Sequence, residues 1–543
     1  MSSWGPGTPD FSLSGQGAAD EDPGEEEGQS PSDDEGSTES ESGASESPQS
    51  DLFDYERGTA QDAIRPGEYA FLPVFGFNES NIAARKYTKK NNLEDDGTTI
   101  NLNNEPLEIG GKELTWWEDD SIMPKHPFML VNPLGFASVD PDVHNFRDVF
   151  RCSKGEQFVF SDSGGYQIMS MPKAEVVDDL DEHRFKEYRV FPERLVEWQT
   201  ENADAGATID FPPYNISGDS SFPDSTKYDE DWRDFFKMRR AESMEMTHRM
   251  AKRLAELREE DRWGAEDYIF SPVIHGKPHP DDTHQLVRSW HETQAEAAEK
   301  GGVDPRGWVL KPEPSHNFGQ IAMFLGYAAE HLQDAEFIHV LMVGGILQKT
   351  LLMYYAMLTG QFVTSDASSY AAGGMRRQFD LPGTATRRSV IISSRDEDDE
   401  NAAKNPNELE RYPCRCIVCD TVEKELGFDF VREGSGSARS VTMNLHNLHQ
   451  ALNIERTLDA LLREQDIEIA ETDGKPSNAE FWRLLNTIGQ EKRVADLYRA
   501  MDYVRLSVER GLSTAERQYR IYWERDQGVS ISRAGNPASE TSF

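Results

Sequence analysis

The sequence predicts an α/β chain organised on a (β/α)8 barrel, and three observations carry that expectation. Short apolar runs recur between residues 128 and 364, and each ends in a polar or Gly/Pro turn. Stretches of helical periodicity separate most of them. Residues suited to chemistry stand at nearly every C-terminal run end, where such a barrel collects its site. An open doubly wound sheet would instead gather them at one switch point.

The elements follow in chain order. Residues 1–56 hold 16 Asp or Glu and neither Lys nor Arg. Such a stretch cannot build a core, so residues 1–60 are expected to be a disordered, self-repelling tail. Residues 69–117 carry broken apolar runs, expected as strands and hairpins lying against a larger body. The basic stretch at residues 85–92 is expected to be an exposed loop. The strand-like runs then come at 128–131, 158–160, 207–209, 268–274, 308–310, 338–343 and 362–364. They end at Asn132, Asp162, Asp210, His275-Gly276, Lys311, Gly344-Gly345 and Asp366. Helical stretches are expected at 194–199, 232–257, 284–299, 317–331 and 350–358. The catalytic barrel is placed at 61–400, a zinc-binding subdomain at 401–455, a helical extension at 456–530 and a disordered tail at 531–543.

The turn Asp162-Ser163-Gly164-Gly165 is the centre of this arrangement. Two glycines beside an acid let backbone and carboxylate approach a flat ligand closely. A carboxylate at the end of a buried strand is costly unless something pairs with it. An Asx turn capping the next helix is the simpler account of the same residues.

Charge and cysteine content bound the rest. The chain carries 98 Asp and Glu against 56 Lys and Arg, a net charge of −42. In dilute salt that excess repels nucleic acid, whereas in molar salt the Debye length falls to about 3 Å and only local contacts count. A halophilic interior is therefore expected. No apolar run reaches the roughly 18–20 residues that span a bilayer, and no basic-then-apolar leader is evident, so a cytoplasmic protein is expected. Four cysteines in 543 residues make no disulfide framework. Three of them form Cys414-x-Cys416-x-x-Cys419, and His446 and His449 follow on a helix. Three thiolates and one imidazole suit a closed tetrahedral zinc site that organises a subdomain. A hydrolytic zinc fits poorly, because four protein ligands leave no position for water.

Taken together, the residues Asp162–Gln167 (DSGGYQ), Asp210 before Pro212-Pro213, Ser365–Ala371 (SDASSYA) and the Cys-x-Cys-x-x-Cys followed by His446-Asn447-Leu448 resemble the guanine transglycosylases. These are the tRNA base-exchange enzymes and their DNA-modifying relatives, and the likeness spans roughly residues 125–450. It implies a barrel with an inserted structural zinc, held by Cys414, Cys416, Cys419 and His446. It implies Asp366 as nucleophile, Asp162 as acid/base and base contact, and Asp210, Gln167, His275 and Gly276 as base-binding residues. The implied reaction replaces guanine in a nucleic acid with a 7-deazaguanine base through a covalent glycosyl-Asp intermediate. Homodimer formation through the zinc-bearing region is a family habit.

The departures from that pattern carry information too. His275-Gly276 stands where the family usually has Gln-Gly. Lys311-Pro312-Glu313-Pro314 replaces a glycine-rich turn. Residues 455–462, 478–488 and 493–510 read as amphipathic helices, where archaeal tRNA enzymes carry domains ending in a small β-barrel. These features favour the DNA-modifying (DpdA-type) branch over tRNA. A non-catalytic nucleic-acid-binding paralogue is the alternative of a different class. Arg493, Arg499, Arg505, Arg510, Arg517 and Arg520 suit either phosphate contacts or ordinary helix-surface ion pairs.

Overall fold

The computed structural model describes residues 64–74, 108–132, 146–150, 152, 155–164, 192–214, 223, 229–279, 281–313, 317–367, 378–379, 390–391, 412, 414–433, 437–464, 480–489 and 491–527. The two expected disordered tails, the basic stretch 85–92, and Gly165, Gln167 and residues 368–371 lie outside them.

Parallel strands and amphipathic helices alternate along the chain. β1 (Tyr69–Pro73) is followed by the two-residue strands β2 (Glu108–Ile109) and β3 (Lys112–Glu113), which pair antiparallel. β4 (Phe128–Val131), α1 (Phe146–Phe150), β5 (Phe158–Ser161), α2 (Pro192–Asn202), β6 (Ala205–Ala207), α3 (Glu230–Glu259) and β7 (Ile269–Ser271) come next. Then follow β8 (Val273–Gly276), α4 (Gln285–Lys300), β9 (Gly307–Pro312), α5 (Phe318–His331), β10 (Phe337–Val340), α6 (Ile346–Thr359) and β11 (Phe362–Ala367). Two short strands, β12 (Gln378–Phe379) and β13 (Val390–Ile391), precede a run of helices. These are α7 (Ile417–Leu426), α8 (Asp429–Glu433), α9 (Ser437–Glu464), α10 (Glu480–Ile488), α11 (Glu491–Arg510) and α12 (Leu512–Gln527).

Two sheets carry the parallel strands, one ordered β1-β11-β10-β9-β8 and the other β4-β5-β6-β7. β7 and β8 are separated only by Pro272, whose carbonyl still accepts the Val309 N–H at 3.0 Å. Proline has no N–H to give a ladder, so one expected run at 268–274 becomes two strands that pair with different neighbours. At the other edge a parallel bridge joins Val74 to Leu130. The inner faces of both sheets share one apolar cluster. In it Phe158 of one sheet lies 5.2 Å from Phe337 and 5.4 Å from Phe362 of the other.

Two expectations need correction. β1 does not lie against the body as a peripheral hairpin; it pairs parallel with β11, residue Leu72 opposite Asp366. Its partner is some three hundred residues away, as the 2.8 Å Tyr69 Oη–Ser365 Oγ bond records, and local pattern cannot reveal such a pairing. The run at 207–209 forms its strand two residues earlier, at Ala205–Ala207, because Ile209 packs with the helix cluster outside.

The helices sit where periodicity put them. Asn317 caps α5 through its side chain, which accepts from Gly319 N at 2.8 Å. The C-terminal helices dock on α5 at close range. A Cβ at Gly326 would fall 2.7 Å from Tyr503 Cε1, so only glycine allows this approach. His284, at the start of α4, bridges to Glu516 of α12 at 2.5 Å and to the Met323 carbonyl of α5 at 3.2 Å. α9 runs unbroken from the region that carries His446 into the helical extension. Among the described residues, no helix is long and apolar enough to cross a membrane.

Candidate active site and metal centre

Strand alternation sets the site. On the inward faces Phe158 and Phe160 precede Asp162, Val273 precedes His275, Val309 precedes Lys311, and Phe362 and Thr364 precede Asp366. Two residues beyond the last apolar layer, each strand therefore delivers a polar side chain to the same end.

Asp162 follows β5, with its backbone N–H on the Val131 carbonyl at 2.8 Å. Its Oδ1 accepts from Ser163 N at 2.9 Å and Oδ2 from Asn132 Nδ2 at 3.4 Å. Gly164 has φ +68°, the left-handed conformation that closes this turn. The Asp162 side chain thus bonds the backbone of its own turn, while the helix that an Asx turn would cap lies outside the described residues. Burial raises the Asp162 carboxyl to about 7, with the negative charges of Asp366 and Asp210 adding to it and the Ser163 and Gly164 N–H groups opposing. The Asp162 carboxyl therefore feels the charges at positions 210 and 366 across the strand ends.

Asp210, buried after β6, accepts from Ser163 Oγ at 3.2 Å and from His275 Nε2 at 2.7 Å. His275 is fully buried between Tyr214 and Trp290, at centroid distances of 5.7 and 4.8 Å. Gly276 has a packing reason of its own. A Cβ there would meet Val287 Cγ2 at 2.4 Å, so the glycine lets α4 close on β8. Its carbonyl accepts from Tyr214 Oη at 2.9 Å.

Asp366 accepts at Oδ1 from the backbone N–H of Met342 at 2.7 Å. Met342 takes φ +61° to deliver that N–H, an unusual conformation for a side chain with a Cβ and one typical of functional sites. His339 Nε2 lies 3.3 Å from the same carboxylate oxygen, while His339 Nδ1 meets Thr364 Oγ1 at 2.8 Å. The ring stacks on Phe160 at 4.3 Å. His339 and Thr364 were missed in the sequence because both sit inside apolar runs. The available signal was a histidine on the inward register of a run that is otherwise apolar.

The candidate metal centre is built from the turn that leads into α7, from α7 itself and from α9. Cys414, Cys416, Cys419 and His446 bring their ligand atoms together, and this group could hold a metal ion. His446 Nδ1 stands 3.6, 3.4 and 3.2 Å from the sulfurs of Cys414, Cys416 and Cys419, and Cys414 Sγ stands 3.8 Å from Cys419 Sγ. Metal–ligand bonds of about 2.3 Å to sulfur and about 2.0–2.1 Å to nitrogen in a tetrahedron give edges of roughly 3.8 and 3.5 Å. The spacing fits. Cys416 N and Gln450 Nε2 both donate to Cys414 Sγ, at 3.3 and 3.6 Å, which orients that sulfur. His449 turns away to Asn453, at 2.9 Å. Cys152 lies apart, its thiol pushed up to about 12 by burial. A second group, Asp282, His284 and Glu516, has its donors engaged already. Asp282 accepts from His284 N and from Arg288, each at 3.0 Å.

The arginine-rich helix is partly explained as surface ion pairing. Arg499 meets Asp496 at 2.8 Å, and Arg505 meets Asp502 at 2.6 Å and Glu509 at 2.7 Å. Compared with known proteins, the chain matches no family model and no curated sequence.

Proposed function

We propose that this chain is a transglycosylase that exchanges guanine for a 7-deazaguanine base in a nucleic acid, with DNA as the favoured polymer. The observation that carries the reading is the convergence of Asp162, Asp210 and Asp366 at one set of strand ends. Closure of the two sheets into an eight-stranded barrel is part of the proposal. The Val74–Leu130 bridge and the continuity of β7 with β8 across Pro272 support it.

The chemistry follows from the acids. An Asp366 oxygen attacks the anomeric carbon as the bond to the base nitrogen breaks, forming a glycosyl ester. The departing guanine takes a proton from Asp162, whose carboxyl near 7 holds one at neutral pH. The incoming base gives a proton back to Asp162, attacks the same carbon and frees Asp366. Met342 N–H holds Asp366 in place for both displacements, and the His339 ring stands 3.3 Å from the same oxygen. Asp210, fixed by His275, offers acceptor oxygens to the N1–H and 2-amino donors of guanine. The target nucleotide must leave its stack to reach them.

Zinc is the ion that the Cys414, Cys416, Cys419 and His446 set suits. When bound it would tie α7 to α9, a structural task. The preference for DNA over tRNA rests on the helices α9–α12 in the C-terminal region and on the residues that replace family motifs at 275 and 311. The net charge of −42 supports an intracellular, high-salt setting. The test offers labelled guanine to the protein in molar salt with duplex DNA or with tRNA. Label entering DNA, and lost in Asp366→Asn, is the expected result. Label entering tRNA alone would move the enzyme to the tRNA branch, and label entering neither polymer would overturn base exchange.

A further inference from the structure

The strand-end layer is acidic, yet it contains one buried cation among the described inward-facing strand ends. Lys311 of β9 lies in register with His275 of β8 and is 4% exposed. Val309, two residues before it, belongs to the inner apolar cluster, so the alternation turns Lys311 toward the site. An ammonium is costly to bury without partners. Among the described residues, Lys311 Nζ has one polar contact, Glu313 Oε2 at 3.4 Å, which is long for a charge-assisted bond. An ammonium carries three donors, so the contacts of the described residues leave most of its capacity unspent. Its register neighbour His275 already commits Nε2 to Asp210.

We propose that Lys311 is a specificity-determining residue that donates to the 6-oxo group of the purine, an inference that rests on the base-exchange reading. Guanine places two donor groups, N1–H and the 2-amino, beside a single acceptor, O6. Carboxylates suit the donors and repel the carbonyl, so a pocket of acids alone reads only part of that edge. A buried ammonium supplies the missing donor, and the low dielectric strengthens the contact. It also rejects bases whose 6-substituent is a poor acceptor, because the buried cation then loses its partner.

The experiment compares guanine with 6-thioguanine, which keeps N1–H and the 2-amino group and replaces only the acceptor atom. Binding of each free base to the full chain in molar salt is measured calorimetrically for wild type, Lys311→Met and Lys311→Arg. Wild type is expected to favour guanine by roughly tenfold or more, Lys311→Met to lose that preference, and Lys311→Arg to retain most of it. A preference unchanged in Lys311→Met, with guanine still bound, overturns the role of Lys311 and leaves base exchange standing. Wild type binding the two bases equally overturns it as well. Wild type binding neither base overturns both readings. Should Lys311→Met lose its fold, seen as a fall in melting temperature, Lys311→Leu, which likewise offers no donor, carries the same comparison.

Discussion

Replacing Asp162 by Asn isolates the electrostatic cost of the acidic layer. Burial and the charges of Asp366 and Asp210 raise the Asp162 carboxyl from 3.8 to about 7. The folded protein therefore binds this proton more tightly than the unfolded chain does. Below pH 3.8 both states are protonated and the residue costs nothing. As pH rises from 3.8 to 7 the unfolded chain releases the proton first, so stability declines, and above pH 7 the full penalty is present. At about 1.36 kcal/mol per unit, the shift amounts to roughly 4 kcal/mol, an order-of-magnitude figure. Asparagine keeps the shape and has no proton to lose. Of that penalty, roughly 2–3 kcal/mol develops between pH 5 and pH 8. The assay is the difference in melting temperature between Asp162→Asn and wild type at pH 5 and pH 8, in constant molar salt. The variant should gain several degrees on wild type over that interval while losing base exchange. A difference that stays constant with pH would refute the argument that these acids share one low-dielectric site. Direct observation of the Asp162 carboxyl ionised at pH 5 would refute it too.

Three further outcomes follow. Cys416→Ser should lower bound metal and melting temperature together, and full metal content with an unchanged melt would contradict an organising role. Lys349 and Glu455 form a buried pair at 2.5 Å, with the ammonium 3.3 Å from the Phe71 ring centroid, so Lys349→Met should cost about 3–5 kcal/mol by stranding the acid. Adding Glu455→Leu should recover much of that in chemical denaturation. His339→Phe should keep the stack on Phe160 yet lower the exchange rate by about tenfold, with kcat falling more than KM rises, because Asp366 loses a polar neighbour worth about 1–2 kcal/mol.

Acids look alike in a sequence and differ in a fold. Asp204 is as buried as any described acid, yet its Oδ2 accepts from Val159 N at 2.8 Å and meets Arg147 at 2.9 Å, which makes it structural. Asp162 lies one strand away, at the opposite end, beside two more acids. Nothing in local composition separates the two, because the difference is the company each keeps. Gly276 makes a related point: the resemblance implied a base contact, and the close approach of Val287 of α4 gives the same glycine a packing reason that no local pattern reveals.

By itself the sequence determined the rhythm of strands and helices, the inward alternation that ends at Asp162, His275, Lys311 and Asp366, and the cysteine spacing of the metal centre. Those features have periods of a few residues, and backbone geometry converts them directly into faces and turns. Only the tertiary structure decided that β1 lies beside β11, that His275 holds Asp210, that His339 stands against Asp366, and that Lys311 enters an acidic layer. Parallel pairing joins segments through long crossovers, so the neighbours of a side chain are set by which strands meet, a choice made by burial of the whole core.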